Sequence, residues 1–185
     1  MLFRSMSCYI DQGYSLDCRN ASIGGIKQIW ILGDSGSTIS TFTTNGSDAI
    51  TSFSGSGTWY SFQLVKQSSS FTEEILVNDA AQSITFQPLV TISLPKLDQN
   101  LRNLFFDLVK QNALYIIVLD NNERYWSVDW SNGGLVNSGS MALGQNYNDL
   151  NGITLTIQGG EPNPSREIVV TTTLAAVASG FTVQP

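Results

Sequence analysis

Along most of this chain, apolar residues recur at every second position, the spacing of β-strands with one buried face. In "TWYSFQLVKQ" Tyr60, Phe62 and Leu64 share one face, and Ser61 and Gln63 the other. In "SITFQPLVTISL" Ile84, Phe86, Val90, Ile92 and Leu94 share a face, opposed mostly by Thr and Gln. Pro88 lies inside that run and cannot donate to a ladder, so the pattern predicts an edge position or a bulge there. "NGITLTIQGGEP" alternates cleanly, with Ile153, Leu155 and Ile157 inward and Thr154 and Thr156 outward. "GGIKQIWILG" is instead a continuous apolar run between glycines, as expected of a strand buried on both faces.

"ALYIIVLDNNERYWSVDWSNGG" predicts a hairpin, with arms at 114–119 and 125–130 and its loop at 120–124. In the second arm Trp126, Val128 and Trp130 fall on one heavily apolar face. A core or subunit interface is the reading of that face, and a sugar-binding aromatic platform beside Asp129 is the alternative. "SGSGT" at 54–58 lacks the lysine of a phosphate-binding loop and has no long helix after it, so a flexible turn is expected. Asn45-Gly46, Asn132-Gly133 and Asn151-Gly152 supply turn chemistry between strands.

One segment breaks the period of two. In "SLPKLDQNLRNLFFDLVKQN" Leu97, Leu101, Leu104, Phe105 and Leu108 form a single stripe at helical spacing. The pattern predicts one amphipathic helix at about residues 95–112, with Pro95 in its first turn, Asp98 favouring the N-terminal dipole and Asn112 as a left-handed stop. Gln99, Arg102, Asn103, Lys110 and also Phe106 lie on the opposite face. Phe106 is therefore a candidate subunit contact, with cover by a loop of its own chain as the alternative. Together the elements predict a single mainly β domain over 1–185, an antiparallel β-sandwich or barrel-like fold flanked by one helix. Residues 1–23 form an N-terminal segment, and 171–185 a possible C-terminal arm that orders only on assembly.

Composition changes the picture in one respect. Only 13% of the 185 residues are charged, against roughly 25% in an ordinary soluble domain. The polar surface is consequently built of Ser, Thr, Asn and Gln, which are less costly to desolvate than ions and suit packing against copies of the same chain. Net charge is −6 and the nine basic residues are scattered singly, so phosphate-gripping by clustered Lys and Arg is not expected. There is no apolar run long enough to span a bilayer, and "MLFRSMSCYIDQGYS" lacks the apolar core of a secretory signal. The expectation is a cytoplasmic product with no membrane partner.

Candidate chemistry is sparse. Without histidine, Ser-His-Asp and Cys-His nucleophiles and most zinc sites are excluded. Cys8 and Cys18 are expected as reduced thiols, a disulfide between them being the alternative. Glu73 and Glu74 are adjacent on a strand and point to opposite faces. "DNNER" and "NYNDLNG" lack the closing glutamate of an EF-hand and read as turns, and the Asn-x-Ser matches at Asn20 and Asn45 carry little weight without an export signal. No enzyme, cofactor or metal is expected.

Three segments, "CRNASIGGIKQIWI", "SSFTEEI" with "TISLPKLDQNLRNLFFDLVKQNALYIIVLDNNERYWSV", and "YNDLNGITLTIQGGEPNPSREI", resemble structural virion proteins of tailed phages that infect Bacteroidetes-type gut bacteria. The resemblance covers roughly residues 8–168, and the order of strands, one helix, a hairpin and closing strands is similar to the phage tail tube fold. It implies a virion protein, most simply a tail tube subunit. Inner sheets would join edge to edge in hexameric rings, and the rings would stack into a channel for DNA. The implied partners are other copies of the chain, tape measure, terminator and tip proteins, and DNA that passes without specific binding. Phe106, Trp126 and Trp130 become candidate subunit contacts, and Thr154 and Thr156 candidate lumen-facing residues. The segment 33–57 becomes a candidate hairpin loop reaching the next ring. A head-decoration, neck or connector protein, or the tube of a contractile injection system, are the neighbouring alternatives. A carbohydrate-binding β-sandwich is the alternative of another class.

Overall fold

The computed structural model describes residues 22–33 and 36–184; Cys8, Cys18 and the rest of segment 1–21 lie outside the described residues. The elements in chain order are β1 (Ile26–Leu32), β2 (Thr38–Thr44), β3 (Ile50–Gln63), β4 (Ser70–Asn78), β5 (Ser83–Pro95) and α1 (Gln99–Lys110). They continue as β6 (Tyr115–Asp120), β7 (Tyr125–Val128), β8 (Leu135–Ala142), β9 (Gly152–Gln158), β10 (Arg166–Ile168), α2 (Leu174–Val177) and β11 (Ala178–Gln184). They form two sheets, and the expected mainly β, sandwich-like class is what the chain adopts.

The larger sheet has seven strands. β1, β6, β7, β10 and β3 pair in that order, and β3 pairs back with β1, so the ladder closes on itself. The 14-residue strand β3 makes this closure possible. One of its edges takes β2 and then β1; the other takes β10 and then β11, both in parallel. The second sheet is antiparallel, with the order β4-β5-β9-β8.

Two apolar clusters follow from the alternation. Ile29 and Ile31 of β1, with Ile116 and Val118 of β6, face Val90, Ile92, Leu155 and Ile157 of the second sheet. Trp30, Leu32, Ile117 and Leu119 point the other way and pack with Ile50, Phe53, Trp59 and Ile168. This explains the continuous apolar run of β1, whose two faces are both interior.

Several local expectations change. The 54–58 segment is strand interior, because the backbone of β2 and the Phe181 ring close directly over it; a Cβ on Gly55 would overlap the Thr38 carbonyl oxygen. The glycines there serve close approach and, at Gly57 (φ 125°), a register shift in the β3–β11 ladder, rather than a turn. Within segment 33–57, the candidate hairpin loop, β2 and β3 form a two-stranded hairpin turned at 45–49. Residues 174–184 are folded onto β3, since Leu174, Val177 and Ala178 complete the second cluster, so in the described chain they form no free arm.

The helix is shorter than its pattern. Pro95 ends β5, opposite Gly152, and the helix starts after Asp98, whose Oδ1 accepts the Leu101 amide at 2.7 Å. It stops at an extended Gln111, not at a left-handed Asn112. Pro88 lies on an interior strand: the β5–β9 ladder ends at Leu89, and the pairing resumes only as a bridge between Phe86 and Glu161, so the missing donor falls in that gap.

Gly55→Ala is expected to cost about 1–3 kcal/mol through forced displacement of β2, whereas Gly46→Ala, with open space around it, is expected to change stability by less than about 0.5 kcal/mol. Urea denaturation of the two variants checks both values.

Candidate functional site

Among the described residues, the second sheet differs from the first in having one face that is largely uncovered, with Ser93 its one buried hydroxyl. Ile153, Leu155 and Ile157 of β9 point into the core, so Thr154, Thr156 and Gln158 point out. Register places Thr91 opposite Thr156 and Ser93 opposite Thr154 on β5, and Ser138 and Ser140 opposite the same two threonines on β8. Ser70 of β4 continues the Thr91 row, while Thr72 begins a third row that runs through Leu89 and Gln158 to Leu135. The hydroxyls meet one another, as in Thr91 Oγ1 to Thr156 Oγ1 at 3.4 Å. Among the outward positions of these four strands, Glu74 is the one ionisable residue. The helix does not reach this face, because α1 packs on Leu94, Ile153 and Leu155 at the core side.

The sheet is also open at both sides. β4 and β8 are its end strands, and within the described residues neither has a partner on its outer edge. The β4–β5 hairpin extends beyond the sandwich, leaving Ile75 and Val77 more than half exposed, across from Phe86 and Ile84. Leu135 and Met141 are exposed on β8. Long unpaired edges with exposed apolar side chains are the usual template for strand addition.

The residues singled out from sequence are distributed as follows. Thr154 and Thr156 stand together at the centre of the hydroxyl face. Phe106 is 57% exposed, with the Lys110 ammonium 4.0 Å from its ring centroid. Trp126 and Trp130 do not share a face. The chain leaves the extended region at Asp129 (φ 59°), which sends Trp126 to the first cluster and Trp130 to the second. Trp130 lies 4.8 Å from Phe53 and donates Nε1–H to the Ile116 carbonyl at 3.0 Å. Trp126 is half-buried and lines an open groove with Ile23, Phe71 and Val118. The two rings therefore make no common platform for a sugar.

Sequence reasoning missed one buried group. The Asp129 carboxyl is 2% exposed, and neither oxygen has a hydrogen-bond partner among the described residues. It occupies a niche that exists because Gly134 and Gly159 lack side chains; a Cβ on either would overlap it. Burial, reinforced by the negative charges of Glu161 and Glu73, raises its pKa to about 7. The glycine pairs Gly133-Gly134 and Gly159-Gly160 were the available signal, and only the fold brings them to Asp129. Among the described residues, no group of three or more His, Cys, Asp or Glu is arranged to hold a metal, and no helix is long and apolar enough to cross a membrane. The chain matches no protein-family model, no curated protein and no solved structure.

Trp130→Ala is expected to lower stability by about 3 kcal/mol, because the ring fills the aromatic cluster of its own chain. Trp126→Ala, at an open groove, is expected to cost less. Urea unfolding of each variant checks the order.

Proposed function

We propose that this chain is a phage virion structural protein and, within that class, the tail tube subunit. The observation that carries the reading is the four-stranded sheet which, among the described residues, has two free edges and a partly exposed, almost uncharged hydroxyl face. Joining the β8 edge of one copy to the β4 edge of the next would satisfy both rows of unpaired backbone groups and continue the sheet around a ring. The covered side of that sheet faces its own core and α1, so the hydroxyl side would turn inward and line the channel.

Such a lining suits DNA in transit. Hydroxyls and amides offer no fixed cations to the phosphates, and the lone outward carboxylate, Glu74, keeps the surface mildly repulsive. On the outside, Phe106 of α1 remains exposed and is a candidate contact. Contacts between rings would fall to the projecting hairpins, β4–β5 and β2–β3. The tape measure, terminator and tip proteins would meet the two ends of the stack.

Negative-stain electron microscopy over a concentration series tests the reading. Hollow tubes of uniform width are the expected outcome. Isolated rings would replace the tube with a neck or connector role, and monomers at every concentration would overturn self-assembly. Thr72→Lys on β4 or Ser138→Lys on β8 places a charge at the proposed seam and is expected to abolish tubes, while shifting monomer stability by less than about 0.5 kcal/mol. Asn112→Lys, exposed and on neither seam strand, is expected to leave the tubes intact.

A further inference from the structure

The niche around Asp129 is a joint between the two sheets. Asp129 follows β7 of the first sheet, its carbonyl accepts the Gly133 amide at 3.2 Å, and its side chain is pressed against Gly134 and Gly159, which flank β8 and β9 of the second. Its ionisable neighbours are all placed differently. Glu161 Oε1 accepts the Ser131 and Asn132 amides at 3.0 and 3.1 Å. Glu73, on β4, accepts the Ser165 amide and hydroxyl at 2.9 and 2.7 Å. Arg166 is the cation lining the same small cavity, but its Nε–H is given to Asp48 at 2.8 Å. Among the described residues, then, Glu161 and Glu73 have donors, the cation at the cavity is engaged elsewhere, and Asp129 has neither a donor nor a counter-ion.

A buried carboxylate in that position has no compensation, and the inexpensive resolution is to stay protonated. We propose that Asp129 is held as the neutral acid in the folded chain and acts as a proton-operated latch: its ionisation loosens the 129–134 turn and the base of the β4–β5 hairpin. The hairpin is included because Glu73 stands on β4, and Glu161 is bridged to Phe86 of β5 by two backbone hydrogen bonds of 2.8 Å. This inference stands independently of the tail tube reading.

The sign follows from linkage. The folded-state pKa, about 7, lies above the ordinary aspartate value of 3.8, so between these pH values the folded chain holds a proton that the unfolded chain has lost. Stability contributed by this proton therefore falls as pH rises from about 4 to about 7, with the unfolding equilibrium constant growing about tenfold per pH unit, and it levels off above.

The test is urea unfolding of the full chain between about pH 4.5 and about pH 8, at a concentration below association, for wild type and Asp129→Asn. Asn is isosteric, neutral and tolerant of positive φ, so its profile lacks this component. The expected result is a wild-type-minus-variant difference that changes about tenfold in the equilibrium constant per pH unit and breaks near pH 7. A flat difference overturns the proposal. Should Asp129→Asn not fold, Glu161→Gln keeps the acceptor but removes the neighbouring charge, and must move the break to lower pH; an unmoved break overturns it equally. Protection of the Ser131, Asn132 and Gly133 amides against hydrogen exchange is expected to drop across the same break, while the amides of β1 and β6 keep theirs. If excess calcium at pH 8 restores the lost stability, a cation rather than a proton fills the niche and the proposal fails.

Discussion

Everything in this fold depends on the first sheet being interior on both faces. β1 and β6 lie side by side, and their side chains alternate between two apolar clusters. Ile29, Ile31, Ile116 and Val118 serve one, and Trp30, Leu32, Ile117 and Leu119 the other. Each fully buried aliphatic side chain contributes roughly 1.5–3 kcal/mol relative to exposure, so these two strands alone supply much of the driving force. The closure through β3 then removes the free edges that such an apolar pair would otherwise present. The result is a rigid body to which the second sheet is attached by one face.

The second sheet accordingly carries the surface that remains to be used. Its inward residues are committed to the first cluster; of its outward residues the described chain buries Ser93, leaves Thr91, Thr154 and Thr156 half-buried and Ser138 and Ser140 exposed, and pairs neither outer edge. An open face of Lys and Glu would be the ordinary solution for a monomer. Here the rows are Ser and Thr, which hydrogen-bond across the strands and lose little when water is partly displaced. Beyond Glu73 and Glu74, the β4 edge carries exposed Ile75, Leu76 and Val77, and β8, with exposed Leu135 and Met141, has none of the charges and prolines that protect a solitary sheet. Face and edge chemistry agree with each other, and that agreement supports a sheet completed by other copies.

How much of this was legible in the sequence depended on whether the deciding contact was local. The period of two along Ile153, Leu155 and Ile157 placed Thr154 and Thr156 correctly, because strand alternation is a property of the chain itself. The apolar run of β1 announced its burial for the same reason. The 54–58 segment misled because glycine has two uses, turning and close approach, and only the packing of β2 and Phe181 tells them apart. The helix boundaries shifted because pairing of Leu94 and Pro95 with β9 outweighed the preference of proline for a first helical turn. The alternation of Trp126, Val128 and Trp130 held for three residues and failed at Asp129, where one positive φ exchanged the faces.

That exchange has a further consequence. A left-handed conformation at a non-glycine residue costs on the order of 1 kcal/mol, and burying a carboxyl without a donor adds to it. The turn itself requires neither cost, since glycine would adopt the same φ freely and leave no buried oxygens. The chain instead spends two more glycines, Gly134 and Gly159, on making room for the side chain. Turning the strand therefore does not account for Asp129. What glycine would lack is a group whose charge can change while it is enclosed between the two sheets. The enclosure also sits under β4, the strand that offers one of the free edges. The protonation state of the core and the geometry of the outermost strand are thereby linked through Glu161, which lines the same small cavity, and through Glu73, which accepts from Ser165 of that lining.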